Sequence, residues 1–396
     1  MDAISSIKIP DSPLAGTQYA GSNGQYTLIA SNYSRNNYGF AGWSEDFEAT
    51  ATSKIFGPNE TITTATDGFG DANISQYGLI LYPVWIASSG TLQDWHKCSS
   101  LVKSSPPSAS ERVHLESVTA LRDERDNNVY AVARLADDKC WMIENLRLDS
   151  EATRGNINQA LSQGYGDDTA NNRGKFIGLA DSEEENFIWN NTVANSLYST
   201  NNSTQINVGT TNNPTYRIPR YNNSNINRDL IASNSSNGSF YQWYGYGNYY
   251  NWPATMASTS YFPDYSTSEI SGTSLCPNGW KLPQGRSVSD GATSGSFSYL
   301  DVALGGTGNE SSSSTVPTGS IMSKYWRQFP NNFVYAGYLT SNSTHNRESN
   351  GIYWSSSAYD NSSSYYLYIG LDSGGVVPGT RYYNKSDGRS IRCLKI

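Results

Sequence analysis

Residues 351–396, GIYWSSSAYDNSSSYYLYIGLDSGGVVPGTRYYNKSDGRSIRCLKI, alternate between two kinds of sequence. Tyr353-Trp-Ser-Ser-Ser, the series Leu367/Ile369/Leu371 and Ile391-Arg-Cys-Leu carry apolar side chains at period two, the spacing of a half-buried strand. Between them lie Tyr359-Asp-Asn-Ser-Ser-Ser-Tyr-Tyr and Tyr382-Tyr-Asn-Lys, which a core does not select. Seven tyrosines and nine serines fall within these 46 residues. Tyr gives large rigid contact area at low entropy cost, and Ser, Asn and Gly give adaptable hydrogen bonds, so this is the composition of a binding surface. The same residues also suit ordinary solvent-facing strands and turns.

Outside that stretch the chain keeps the same character. It has 396 residues, 29 Tyr, 10 Trp and 35 Gly, and only 16% charged residues. That length admits two or more domains and a sizeable core. Low charge with many aromatics and abundant Asn, Ser and Gly points to an extracellular, β-rich protein rather than a cytosolic enzyme. A net charge of −8 and an isoelectric point of about 5.0 leave no basic stripe for phosphates, so nucleic acid is not an expected partner. No apolar run reaches the roughly 18 residues of a membrane span, and the opening MDAISSIKIP lacks the basic and apolar regions of a signal peptide. Cys98, Cys140, Cys276 and Cys393 form no CxxC, and His96, His114 and His345 are scattered, so no zinc site is expected. Four cysteines allow three disulfide pairings. Cys98–Cys140 and Cys276–Cys393 are the expected ones, with buried free thiols as the alternative.

Read in order, residues 1–24 form a lead-in arm, and 25–88 read as short strands separated by Asn/Gly/Asp turns. Within that part Gly39-Phe-Ala-Gly-Trp-Ser, Phe56-Gly-Pro-Asn-Glu-Thr-Ile-Thr and Leu79-Ile-Leu-Tyr-Pro-Val-Trp resemble the Listeria–Bacteroides repeat, a small β-grasp-like spacer module of bacterial surface proteins. Residues 89–116, with Lys103-Ser-Ser-Pro-Pro-Ser-Ala-Ser, read as a linker. A second domain, 117–396, is expected to contain an Asn/Ser-rich insertion at about 150–240, with a helix near Asp181–Trp189. In it, DERDNNVYAVARLADDKCWMIENL (123–146) is followed in order by Tyr249-Tyr-Asn-Trp-Pro, Cys276-Pro-Asn-Gly-Trp-Lys-Leu-Pro, Phe297-Ser-Tyr-Leu-Asp-Val-Ala-Leu, Phe333-Val-Tyr-Ala-Gly-Tyr, Tyr353-Trp-Ser-Ser-Ser and Ser390-Ile-Arg-Cys. This ordered set resembles the FISUMP family, the major paralogous domain of Fibrobacter.

The resemblance implies an α+β, C-type-lectin fold on the branch of formylglycine-generating enzyme. In such a fold the termini meet on neighbouring strands and the last strands form a solvent-facing platform. More narrowly, 351–396 resembles the variable proteins of diversity-generating retroelements, in which adenine-directed mutation confined to the end of the gene scatters Asn codons to Tyr, Ser, Asp, His and Gly. What the resemblance implies is a surface or secreted, non-enzymatic, ligand-binding protein without cofactor or metal. Its partner would be a protein or glycan on another cell or virus. The expected contact residues are Tyr359, Asp360, Asn361, Ser363, Tyr366, Tyr368, Asp372, Tyr382, Tyr383 and Asn384. A non-variable FISUMP adhesin, a carbohydrate-binding module and a structural envelope protein are the alternatives.

Other chemistry finds little purchase. The calcium site of C-type lectins needs Glu-Pro-Asn or Gln-Pro-Asp with Trp-Asn-Asp. Here Pro277-Asn lacks the acid, and Trp354 is followed by serines. Formylglycine generation needs a reactive cysteine pair near the C terminus, and only Cys393 is there. Asp123, Glu124 and Asp126, interleaved with Arg122 and Arg125, read as a charged hairpin turn. Asp181, Glu183, Glu184 and Glu185 read as a charged first helical turn. No histidine stands near a nucleophile elbow, and Gly305-Gly-Thr-Gly precedes no Walker lysine. Asn190, Asn201 and Asn342 begin glycosylation sequons. Trp141, Trp243, Trp252, Trp280 and Trp326 read as packing residues.

Overall fold

Val129-Tyr-Ala-Val-Ala-Arg forms a strand that is buried on both faces. In the computed structural model of the chain, Ala131 and Ala133 belong to one hydrophobic core, and Tyr130 and Val132 to another on the opposite side. The structure describes residues 25–28, 35–63, 74–75, 78–79, 81–105, 115–147, 216–217, 245–247, 249–250, 252–255, 274, 276–285, 295–308, 319–340, 343–346, 349–360, 363–370, 375–385 and 387–396. The strands are β1 (Gln25–Thr27), β2 (Tyr38–Ser44), β3 (Ile55–Phe56), β4 (Thr61–Thr63), β5 (Ile74–Ser75), β6 (Gly78–Leu79), β7 (Tyr82–Thr91), β8 (Val118–Arg122), β9 (Val129–Arg134), β10 (Cys140–Met142), β11 (Tyr216–Arg217), β12 (Tyr249–Tyr250), β13 (Trp280–Lys281), β14 (Tyr338–Thr340), β15 (Ser343–His345), β16 (Asn350–Ala358), β17 (Ser363–Gly370), β18 (Val376–Asn384) and β19 (Leu394–Lys395). Helices α1 (Trp252–Thr255), α2 (Ser296–Ala303) and α3 (Gly319–Arg327) and two short 3-10 helices, Cys98–Ser100 and Leu115–Ser117, complete the described elements. No helix among the described residues is long and apolar enough to cross a membrane.

The fold is mixed α+β and mostly sheet. Eight strands form one sheet in the order β13–β19–β10–β9–β8–β7–β2–β3, and β16–β17–β18 form a second. The large sheet is antiparallel except between β7 and β8. One core, around Trp141, Phe297, Trp326, Phe333 and Tyr353, is roofed by α2 and α3. The other gathers Trp252, Trp280, Trp354, Tyr130 and Tyr250. The second sheet contributes to both: Tyr353, Leu367 and Ile369 face the first, and Ile352, Trp354 and Tyr366 the second.

The expected division at 89–116 does not separate two cores. Segment 25–88 supplies β2, β3 and β7 to the sheet that also holds β8–β10, and its Ala41, Ile55 and Val84 share a core with Trp141 and Trp326. Two glycines make this contact possible. A Cβ on Gly39 would stand 2.6 Å from the Ala131 nitrogen, and one on Gly57 would stand 2.0 Å from the Arg327 carbonyl oxygen. The Glu144 carboxylate then clasps β2 to β9, accepting from the Phe40 N–H at 3.2 Å and the Ala131 N–H at 2.7 Å. Asn332 donates to the Ala41 carbonyl, and Arg327 to the Asn59 carbonyl. The expected linker carries Leu92 and Trp95, both buried in the second core.

Both expected disulfides form, Cys98–Cys140 and Cys276–Cys393. The charged segment 122–128 is the turn between β8 and β9, with Asn127 at φ 63°. Its Asp123 is buried rather than solvated, paired with Arg125 at 2.6 Å. Trp141, Trp252, Trp280 and Trp326 are fully buried. The helix expected at 181–189, Trp243, the three sequons, Asn361, Leu371 and Asp372 lie outside the described residues.

Candidate recognition face

The register of β17 with β18 decides where each predicted contact residue points. Tyr365 pairs with Tyr382, Ser364 with Tyr383, Ser363 with Asn384 and Tyr366 with Arg381. Side chains alternate along a strand, so adjacent tyrosines diverge. Tyr365 and Tyr382 stand on one side of the sheet, and Tyr366, Arg381 and Tyr383 on the other.

On the first side three tyrosines meet. Tyr359, from the turn after β16, stacks on Tyr382 with ring centroids 3.6 Å apart and planes 8° from parallel. Tyr365 stands edge-on to both, at 5.5 Å and 84° from Tyr359 and at 6.1 Å and 89° from Tyr382. Tyr365 is buried, whereas Tyr359 and Tyr382 are 38% and 48% exposed. The turn is closed by the Tyr359 N–H donating to the Ser363 carbonyl at 3.0 Å and the Ser363 N–H to Asp360 Oδ1 at 2.7 Å. A hydrogen bond with the Tyr382 hydroxyl raises the Tyr359 pKa, and the Asp360 charge pushes in the same direction.

On the second side an arginine sits among rings. The Arg389 guanidinium is buried and lies 4.2 Å from the Tyr366 ring centroid, 4.6 Å from Trp354, 5.4 Å from Tyr338 and 5.6 Å from Tyr383. Asp387 pairs with it at 3.1 Å. Burial pushes the Asp387 carboxyl up to about 6, against the pull of Arg389 and His345. Beside this group Arg381 covers Tyr368 at 4.2 Å, and His345 stacks on Tyr338 at 5.3 Å.

The expected contact set therefore divides. Tyr359, Asp360, Tyr382, Tyr383 and Asn384 are exposed, and Ser363 and Tyr368 are half-buried. Tyr366 is a correction: it is 8% exposed and packs in the second core, because period two turns it toward Arg389 and Trp354. Arg381, Arg389 and Tyr365 were missed. The signal for Tyr365 was present, since it shares parity with Leu367 and Ile369.

No protein-family model, no curated protein and no solved structure matches the chain.

Proposed function

We propose that the chain is a surface or secreted ligand-binding protein that displays 351–396 as a recognition face on a C-type-lectin-like scaffold. In this reading it works as the variable proteins of diversity-generating retroelements do, without covalent chemistry or cofactor. The carrying observation is the contrast within β16–β18: inward residues are locked in two cores, while Tyr359, Tyr382 and Tyr383 present ring surface at the strand ends. The lectin-like topology draws support from the large sheet, where β8, which opens 117–396, and β19, which closes it, lie in one sheet with β9 and β10 between them. Cys393, bonded to Cys276, serves as a staple in this reading rather than as a reactive thiol. Two disulfides suit an oxidising, extracellular setting.

The test combines genetics with mutation. A near-copy of the bases encoding 351–396, lying beside a reverse-transcriptase gene and differing mainly at adenines, is expected. The differing codons should fall at exposed positions such as Tyr359, Tyr382 and Tyr383. Absence of such a copy would make this a non-variable module. Whatever an array of surface proteins and glycans identifies as ligand, Tyr382→Ala is expected to weaken its binding by roughly 2 kcal/mol, as a central aromatic does. Its melting temperature should stay near that of the parent. Tyr366→Ala should instead lose about 3 kcal/mol of stability, the cost of emptying a buried aromatic site. Calorimetry on both variants reads the contrast, and equal destabilisation would make Tyr382 a core residue.

A further inference from the structure

We infer that the exposed Tyr359–Tyr382 stack takes a cationic side chain, an arginine guanidinium or lysine ammonium, presented by a protein partner. The inference rests on the recognition reading above and adds the chemistry of what is recognised. The second sheet already shows how it holds such a group. On the side facing the second core the Arg389 guanidinium lies against Tyr366, Trp354, Tyr338 and Tyr383, with Asp387 as counter-charge. On its other side the parts recur. Tyr359 and Tyr382 stack, Tyr365 stands edge-on behind them, and the exposed Asp360 follows Tyr359 directly.

One part differs. Several described rings carry a cation of the chain itself: Arg381 over Tyr368, Lys385 over Trp252, Arg327 over Tyr335, Arg147 over Tyr130. Among the described residues no arginine or lysine lies over Tyr359 or Tyr382, and both rings are exposed. Aromatic faces carry negative quadrupole potential, which attracts a cation placed over them. The exposed Asp360 carboxylate, next in the chain to Tyr359, adds negative charge beside these faces. The net charge of −8 acts in the same sense at longer range. A neutral sugar would find the stacking surface but draw nothing from the charge, so the occupant that uses both is a basic side chain.

A displayed library of random linear peptides, selected against the whole chain, tests this. Enriched peptides are then measured against the parent, Tyr382→Ala, Tyr382→Phe and Asp360→Asn. The expected peptides contain Arg or Lys, and replacing that arginine by citrulline, its neutral isostere, weakens them. Tyr382→Ala should weaken them about thirty-fold, the size of a cation–ring contact that is desolvated on binding. Tyr382→Phe should retain most of the binding, and added salt should reduce it. Peptides that need Tyr359 and Tyr382 but bind unchanged with citrulline would overturn the cationic assignment and leave the recognition face standing. Peptides indifferent to Tyr359, Tyr382 and Tyr383 would overturn both.

Discussion

Replacing both Cys276 and Cys393 by alanine is expected to remove about 5 kcal/mol of stability, on the chain-entropy account of a cross-link that closes a loop of this length. The bond spans 117 residues, whereas Cys98–Cys140 spans 42, for which the same account gives about 4 kcal/mol. Both Cys276 and Cys393 are buried, and alanine fills most of the space, so the loss reports the cross-link more than a cavity. The staple matters here because β19 is only Leu394–Lys395 and meets β10 through a single residue pair, Trp141 with Leu394. Denaturant unfolding of the two double-alanine variants against the parent reads the difference. A loss under about 1 kcal/mol for the Cys276–Cys393 pair would show that the end of the chain is held instead by buried side chains. Arg392 would be the first of these, since it donates to Asn145 and to the carbonyls of Met142, Asn331 and Asn332.

What the sequence disclosed and what it hid divide along contact range. The strands 353–357 and 367–369, the turn at 123–128 and the use of all four cysteines in disulfides were readable, because period-two spacing, turn residues and cysteine count are local or combinatorial signals, whereas the count left three pairings open. Gly39-Phe-Ala-Gly-Trp-Ser looked like part of a separate module for an equally local reason. Short strands with Gly turns read alike whether they form their own sheet or extend another. What joins them to the main sheet is Gly39 against Ala131, Glu144 against Phe40 and Asn59 against Arg327, pairs separated by about a hundred residues or more. The recognition face shows the same limit. Composition marked Tyr366, Tyr382 and Tyr383 as one group, but alternation sends Tyr382 to one side and Tyr366 with Tyr383 to the other. Trp354 and Arg389, which cover Tyr366, come from separate parts of the chain, and no window around 366 contains their geometry.

Arg389→Met should destabilise the protein by about 4 kcal/mol at pH 7, because it leaves the buried Asp387 carboxylate without its ion-pair partner. Part of that loss should return on acidification. Burial raises the Asp387 pKa to about 6 even with Arg389 in place. A carboxyl whose folded pKa lies above its unfolded value of about 3.9 holds its proton more tightly when folded. Lowering the pH from 7 toward 4 therefore adds to stability at this site. Without the guanidinium, which pulls the pKa down, the folded value rises further, so the gain begins at higher pH and grows. The His345 charge also pulls it down, so His345→Gln is the control that isolates the arginine. Thermal unfolding at pH 7 and pH 5 is expected to show the larger deficit at pH 7. Asp387→Asn in the Arg389→Met background should recover part of it at pH 7 and little at pH 5. Equal deficits at both pH values would mean that Arg389 acts by filling space among the rings rather than by charge. Either result bears on recognition, since the same guanidinium braces the inner face of the exposed Tyr383. Acid neutralises Asp387 but leaves the guanidinium charged, so binding through Tyr383 should fall in Arg389→Met rather than on acidification, while the Tyr359–Tyr382 stack, on the other side of the sheet, stays as it was.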